Sequence, residues 1–209
     1  MRFNLLLILA LQSSAALAWS GIGAFLGQGN GDWLFSSGNQ TADIDFYGLQ
    51  IEDRTQSPLR VGAAAGQFDL RLLSTPTAVA ERYSGKFLAF FLRLPQTLSD
   101  QIKLHSQLRY QYNLGERSLQ GSEQISWSAV TLQMGISLQL GRLSVQPFGV
   151  LQRIDGDITT PSQTRLFQHG QSSGYGLKLD YYVEPTAYIR FLGSAGANES
   201  LSISFVREY

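Results

Sequence analysis

The stretch VTLQMGISLQLGRLSVQPFGV, residues 130–150, alternates apolar with polar or small side chains for most of its length. A period of two indicates β-strands, because successive side chains of a strand point to opposite faces. The alternation breaks at Gly141-Arg142, and glycine in the first central position is typical of a two-residue type II′ turn. The stretch therefore predicts a β-hairpin with one apolar face, in which Leu140 pairs with Leu143.

Pro147 lies inside the second strand of this hairpin. Proline lacks the N–H of the ladder and is tolerated within a sheet mainly at an edge or a bulge. We therefore expect a bulge at Pro147, which would turn Phe148 and Val150 to the outer face.

Similar alternation recurs along most of the chain, and nine strong runs lie between residues 43 and 209. A further run in 20–37, around Asp32-Trp33-Leu34-Phe35, raises the expected number of strands to ten, with eight as the alternative. We interpret Gly27–Gly31 as a flexible connector. No helical pattern follows the N-terminal residues, so the sequence predicts an all-β protein.

Charge is scarce: charged residues make up 15% of the chain, and the polar half is mainly Gln, Ser, Thr and Gly. Ordinary soluble domains carry about 25% charged residues, so the polar face is too poor in charge for a soluble exterior. Basic and acidic residues are equal at 16 each, which leaves no basic excess for nucleic acid. There is no cysteine and hence no disulfide framework. Asp155-Gly156-Asp157 has too few acidic ligands for calcium and predicts a turn, and we expect no metal or other cofactor.

The first eighteen residues have the three parts of a secretory signal peptide. Arg2 precedes the apolar run 5–11, and Ala16-Leu17-Ala18 matches an A-x-A cleavage site. The run is too short for a helix that spans a bilayer, which needs about 20 apolar residues. We expect a signal peptide of residues 1–18, an exported protein, and a mature domain of residues 19–209.

The chain ends in SLSISFVREY, residues 200–209, with an apolar residue at alternate positions before a terminal aromatic residue. This resembles the C-terminal assembly signal of bacterial outer-membrane β-barrels, although that signal usually ends in Phe or Trp and Arg207 takes a position that is normally apolar. The resemblance implies a closed, antiparallel, up-and-down transmembrane β-barrel in the outer membrane of a Gram-negative cell. Its partners would be outer-membrane lipid and the barrel-assembly machinery, and it would be a monomer. The residues of the signal are Leu201, Ile203, Phe205 and Tyr209.

The predicted connections alternate between short and long. Outer-membrane barrels have short periplasmic turns and longer external loops, so the long connections would lie outside the cell and offer contact surfaces. A soluble lipocalin-like barrel, with its apolar face inward, is the alternative architecture. The candidate external loops are 74–85, 115–124 and 155–173.

The polar face would line a narrow lumen in which opposite charges neutralise each other. We favour a plugged barrel with a structural or surface-interaction role, and passive diffusion of small polar solutes is the alternative. A rim enzyme that hydrolyses lipid or peptide is a second alternative. The chain has only His105 and His169, however, and shows no catalytic dyad, so no catalytic residue is assigned. The predicted inward residues are Glu52, Asp69, Arg71, Arg93, Lys103, His105, Arg109, Lys178, Asp180 and Arg190.

Overall fold

The computed structural model describes residues 21–54, 59–73, 80–117, 123–170, 172–197 and 199–209. These residues form eleven β-strands, and none of them belongs to a helix long and apolar enough to cross a bilayer. The predicted signal peptide, 1–18, lies outside the described residues. The strands are β1 (Gly21–Phe35), β2 (Gly38–Arg54), β3 (Arg60–Leu73), β4 (Glu81–Thr97), β5 (Ile102–Arg117), β6 (Gln124–Leu140), β7 (Leu143–Thr159), β8 (Thr164–His169), β9 (Ser173–Glu184), β10 (Ala187–Ala195) and β11 (Glu199–Glu208).

Ten of these strands form the wall of a closed barrel. Each pairs antiparallel with the next in the order β1 to β7, β9, β10 and β11, and β11 pairs back to β1. Closure leaves no open sheet edge, which a sheet surrounded by lipid requires. The prediction of a closed, antiparallel, ten-stranded barrel is confirmed.

The remaining strand, β8, divides the barrel into two parts. β7 pairs with β9 over Leu143–Leu151 and with β8 over Asp155–Thr159, and β8 also pairs with β1 at Trp33–Phe35. Beyond the ends of β9, β10 and β11, one strand therefore replaces three, and the ring narrows from ten strands to eight. We term the eight-stranded part, β8 with the adjoining ends of β1 to β7, the collar. The ten-stranded part is the lower barrel.

The strand bounds correct three predictions. The segment 155–173 is mostly strand, and Asp155-Gly156-Asp157 pairs with β6 and β8 instead of forming a turn. The six residues of β8 offer too few alternating positions to be told from a loop by sequence. Gly27–Gly31 is the middle of β1, not a connector. A side chain at Gly27 would come within 2.7 Å of the Phe46 ring, so glycine permits the close packing of this wall.

The outer face changes polarity along the long strands. On β4, Leu88 and Phe90 face outward in the lower barrel, whereas Arg82 and Lys86 face outward in the collar. The outward apolar run of β6, 130–140, has the length of about 9–11 residues that a tilted strand needs to cross a bilayer. A lipid-facing band therefore surrounds the lower barrel, and the collar meets water. Other exposed residues of the band are Leu26, Leu49, Tyr110, Met134, Leu151, Tyr181, Phe191 and Ile203.

The inner face changes polarity in the opposite sense. In the collar it is mainly apolar and forms one large buried core, whereas in the lower barrel polar side chains share it with two smaller apolar clusters. Side chains of Phe or Leu size each contribute about 1.5–3 kcal/mol when fully buried, so this core gives the collar a stability of its own. The core residues are Trp33, Phe35, Ala42, Phe68, Leu70, Leu72, Tyr83, Ile125, Trp127, Ala129, Ile154, Ile158 and Phe167.

The hairpin predicted for 130–150 is confirmed. Its turn lies at 141–142, the φ of Gly141 is +62°, and Leu140 pairs with Leu143. Positive φ at the first central residue only is the signature of the type II′ turn, because no non-glycine described residue has positive φ.

The bulge predicted at Pro147 is wrong. The register between β6 and β7 is the same on both sides of the proline, so no extra residue is inserted. Phe148 and Val150 therefore remain on the inner face, where both are buried. The ladder accommodates the proline by losing two β6–β7 pairs, that of Pro147 itself and that of Gln146 beside it.

Candidate functional site

Two polar clusters lie inside the barrel, with the collar core between them. The luminal cluster occupies the lower barrel, and the mouth cluster lies at the open end of the collar. The inward-facing residues of a single strand line both the core and the lumen. On β2, Ala42 and Ile44 face the collar core, while Gln50 and Glu52 face the lumen of the lower barrel. The rim of the lower barrel with tight turns at 141–142 and 185–186 is termed the turn rim.

The luminal cluster contains two groups of ion pairs. Glu52 of β2 pairs with Arg93 of β4 and with Arg60 of β3, the latter at 3.6 Å between Arg60 Nη1 and Glu52 Oε1. Arg190 of β10 donates two hydrogen bonds to Asp180 of β9, from Nε at 2.7 Å and from Nη2 at 2.8 Å. Bidentate contacts of this kind are stronger than ordinary hydrogen bonds and fix both side chains. They rigidify the inner wall.

Two further cations of the lower barrel have no carboxylate within 4 Å among the described residues. Lys178 is 8% exposed and donates to Gln146 Oε1 at 3.3 Å. Arg109 donates from Nη2 to Gln111 Oε1 at 2.7 Å, and its Nε has no acceptor in the described part of the chain. The remaining predicted lumen residues, Lys103 and His105, lie on the same inward face of β5, closer to the turn rim.

Asp69 and Arg71 do not belong to the lumen, although the sequence predicted them there. They lie on the outer face of the collar, and their neighbours Phe68 and Leu70 face the core instead. Arg71 Nη2 lies 3.5 Å from Asp45 Oδ2 on the same outer surface. The prediction assumed that the inner face of β3 is polar along the whole strand. It fails where the strand leaves the bilayer, because there the outer face meets water and is the polar one.

The collar core is built on aromatic rings from four strands. Trp33 of β1 stacks on Phe167 of β8 with 4.5 Å between ring centroids, and it meets Trp127 of β6 edge-on at 5.3 Å. Phe68 of β3 also meets Trp127 edge-on, at 4.7 Å. None of these four side chains is more than 4% exposed. Because β1, β3 and β6 are not neighbours in the wall, these contacts cross the inside of the ring and fill it.

The mouth cluster connects β8 to the opposite wall. Arg165 Nη2 of β8 lies 3.1 Å from Glu81 Oε2 of β4 and 3.3 Å from Glu123 Oε1, just before β6. Tyr83 donates to Glu123 Oε1 at 2.8 Å, and Arg117 Nη1 lies 2.5 Å from Glu123 Oε2. Two arginines therefore balance two glutamates, and the cluster has no net charge.

The protonation states in the mouth cluster follow from these contacts. Burial would raise the pKa of Glu123, but the hydrogen bonds from Arg117 and Tyr83 and the charge of Arg165 hold that pKa below its ordinary value. Burial, together with the hydrogen bond to Glu123, raises the pKa of Tyr83. At neutral pH the carboxylate is therefore an ionised acceptor and the phenol a donor.

Sequence reasoning missed the mouth cluster and also Arg60. Arg165 fell in a segment predicted to be a loop, and Glu123 precedes its strand, so neither had an assigned face. The alternation of side chains could have predicted the inward position of Arg165, because residues two apart on a strand share a face and Phe167 faces inward.

The two histidines lie in different parts of the barrel. His105 is on the inner face of the lower barrel, and His169 is on the inner face of the collar, opposite Trp33. Within the described ranges, no group of three or more potential metal ligands occurs. The residues of the C-terminal signal lie exposed on or just after β11, toward the lipid-facing side: Leu201, Ile203, Phe205 and Tyr209.

No protein-family model and no curated protein matches the sequence. Among solved structures, the transport unit of the autotransporter AIDA-I from Escherichia coli is similar over 99% of this chain and 96% of its own, with a TM-score of 0.52 and 10% identity. The translocator domain of the autotransporter NalP from Neisseria meningitidis is similar over 99% of this chain and 94% of its own, with a TM-score of 0.50 and 11% identity. At such low identity the likeness concerns the fold. The chain therefore has the fold of a bacterial outer-membrane β-barrel.

Proposed function

We propose that this protein is a non-conducting outer-membrane barrel that carries a rigid collar at the cell surface, where the collar contacts other molecules. Outer-membrane barrels have their short turns on the periplasmic side, and the turn rim lies opposite the collar. In that orientation the collar projects from the cell. The role is structural or surface-interacting, and the collar supplies the contact surface that the sequence assigned to loops.

The aromatic core is the observation that carries this proposal. A porin-like channel needs a continuous polar path, whereas the rings of Trp33, Trp127 and Phe167 meet in the centre of the collar. Moving an ion through such an apolar layer requires stripping its water without replacement, at a cost of many kcal/mol. The core therefore supports a sealed barrel over passive diffusion.

The proposed role is not enzymatic. His105 and His169 lie on opposite sides of the division between lower barrel and collar, so they do not form a pair. The carboxylate of Glu123 already accepts hydrogen bonds from Tyr83 and Arg117, which supports a structural use of the mouth cluster. We further propose a monomer that contacts lipid along its apolar band and enters the membrane through the barrel-assembly machinery.

Current recordings from planar lipid bilayers test this proposal. The unmodified protein should give no discrete current steps, with its insertion verified by heat-modifiable gel migration of vesicle-bound protein. A folded Trp33→Ala, Phe68→Ala, Trp127→Ala variant should conduct, because it removes rings from three strands. Leu34→Ala, on the outer face of β1, should remain silent. Discrete and reproducible steps from the unmodified protein would overturn the proposal in favour of passive diffusion.

A further inference from the structure

A groove follows the outer face of the barrel along the seam where β11 closes on β1. Its lower part, with a volume of about 580 Å³, lies in the apolar band, and its upper part, of about the same volume, lies at the base of the collar. Both parts are lined mainly by β11, β1 and β2, and residues 24–26 and 28–30 of β1 line them in succession. We term the two parts together the seam groove.

The lower part is a depression because a small side chain lies between large ones. Ala24 of β1 pairs with Phe205 of β11 on one side and with Leu49 of β2 on the other. The alanine therefore forms a floor, and the larger side chains form the walls. The exposed apolar side chains of this part are Leu26, Tyr47, Leu49, Ile203 and Phe205.

The upper part is formed by the next residues of the same strands, and it is polar. Gln28 pairs with Asp45, and Asn30 pairs with Glu199 on one side and Asp43 on the other. Residues two apart on a strand share a face and lie about 7 Å from each other. The lining therefore changes from apolar to polar within one such step along β1.

The upper part carries more negative than positive charge. Three carboxylates, those of Asp43, Asp45 and Glu199, line it together with one guanidinium, that of Arg71. Arg71 Nη2 lies 3.5 Å from Asp45 Oδ2, and both side chains are more than half exposed, so this pair is weak and open to a ligand. Asp43 Oδ1 accepts a hydrogen bond from Asn30 Nδ2 at 2.6 Å.

An amphiphile matches the two parts of the seam groove. The lower part faces acyl chains, and a chain that lies over Ala24 gains van der Waals contact with the walls on both sides. The upper part lies where the outer face becomes polar, at the level of lipid headgroups. Its excess of carboxylates attracts an ammonium group and repels a headgroup that is only anionic. A second copy of the chain would bring the same carboxylates face to face across a two-fold axis, where they repel each other.

We propose that the seam groove binds one phospholipid with an amine headgroup. One acyl chain lies over Ala24, the ammonium contacts Glu199 and Asp43, and the phosphate shares Arg71 with Asp45. The site rests on the proposed contact of the apolar band with lipid, but not on whether the barrel conducts. Its failure would therefore leave the result of the bilayer recordings unchanged.

Native mass spectrometry of the folded protein in detergent micelles tests the site by titration with phosphatidylethanolamine or phosphatidylglycerol of the same acyl chains. We expect one phosphatidylethanolamine to bind at least about fivefold more tightly than phosphatidylglycerol, as one or two surface ion pairs would give. Ala24→Phe fills the floor of the groove and should weaken binding by a similar factor. Gly149→Phe is the matched control, because it adds the same ring on the outer face of β7, where nothing lies within 4 Å of the Cβ position. It should bind as the unmodified protein does.

Two double variants test the headgroup. Asp43→Asn with Glu199→Gln should abolish the preference for phosphatidylethanolamine. Asp155→Asn with Glu116→Gln makes the same change on the outer face of the collar, away from the groove, and should keep the preference. Heat-modifiable migration verifies that each variant is folded.

Equal affinity of the unmodified protein for the two lipids, or unchanged binding in Ala24→Phe, would overturn the proposal. A protein dimer that forms in place of the complex with one lipid would also overturn it, in favour of a second copy of the chain.

Discussion

Trp33 and Phe167 stack with their ring planes 6° apart and their centroids 4.5 Å apart. The contact joins β1, the first wall strand, to the short strand that replaces three others in the collar. The same two rings lie in the apolar core that separates the luminal cluster from the mouth cluster. One contact therefore joins β8 to the wall and lies within the core that we propose seals the lumen.

Replacing Trp33 by alanine should lower the free energy of unfolding by about 3–5 kcal/mol, the usual cost of removing a large buried aromatic side chain. Leu34→Ala is the control, because Leu34 follows it on the outer face and is 40% exposed. Its effect should stay within about 0.5 kcal/mol. Urea titrations followed by circular dichroism in lipid vesicles measure both values, and similar losses in the two variants would contradict a core centred on Trp33.

Replacing Arg165 by methionine should loosen β8 rather than the whole barrel. The change removes both ion pairs that hold this strand to the opposite wall, and it leaves Glu81 and Glu123 without their shared cation. We expect a loss of about 1.5–3 kcal/mol, as for hydrogen bonds to charged groups. Faster amide hydrogen exchange should appear in 164–169 first.

Arg153→Met is the control for this experiment. Arg153 also forms an ion pair, with Asp155, but on the outer face of the collar and in contact with water. Surface pairs of this kind contribute little, so exchange in β8 should not change. Equal exchange in both variants would mean that the mouth cluster does not hold the strand.

The collar should lose stability in acid through Glu123. The folded-state pKa of this carboxyl lies below its ordinary value of 4.5. Its contribution is therefore present above that value and is lost as pH falls through the lower, folded-state pKa. Hydrogen exchange of β8 measured from pH 7 to pH 3 should accelerate beyond its intrinsic pH dependence at the acid end. Glu123→Gln should be less protected at pH 7 and show a smaller acid-dependent change, and parallel profiles would argue against this residue as the titrating group.

Gly156 provides a test of packing between β7 and β8. A Cβ atom at this position would lie 2.4 Å from the ring of Phe167 and 2.6 Å from the backbone oxygen of Ser126, so Gly156→Ala should destabilise by about 1–3 kcal/mol. Gly149→Ala on the same strand is the control, because nothing lies within 4 Å of its Cβ position. It should be neutral or slightly stabilising. The unfolding midpoints of the two variants measure this difference, and equal midpoints would contradict the close packing at Gly156.

The lower barrel could be predicted from the sequence because its strands are long and regular. Leu49 and Glu52 lie three positions apart on β2, so the period of two alone puts them on opposite faces. The low charge of the polar face, together with the N-terminal and C-terminal sequences that resemble export and assembly signals, then indicated that the apolar face meets lipid. The inward positions of Arg93, Lys178 and Asp180 followed directly, and the structure brings them into one cluster.

The collar could not be predicted, because periodicity shows which residues share a face but not which face meets water. Phe68 and Asp69 alternate in the collar as Leu49 and Gln50 do in the lower barrel, yet the apolar residue faces inward in the first case and outward in the second. Whether the apolar residues face inward or outward depends on where the bilayer ends along the strand, and no local sequence feature marks that point. The ion pairs of Arg165 join strands far apart in sequence and required the fold itself.

The assignment of the collar and the lower barrel depends on where the bilayer lies along the strands, and depth-dependent fluorescence quenching locates it. The chain has no cysteine, so single-cysteine variants Arg82→Cys and Phe90→Cys, both on the outer face of β4, can be labelled with bimane and reconstituted in vesicles. The label at 90 should be quenched by lipids with brominated acyl chains, and the label at 82 by aqueous iodide only. Strong quenching of both labels by brominated lipids would contradict a collar that stands outside the membrane.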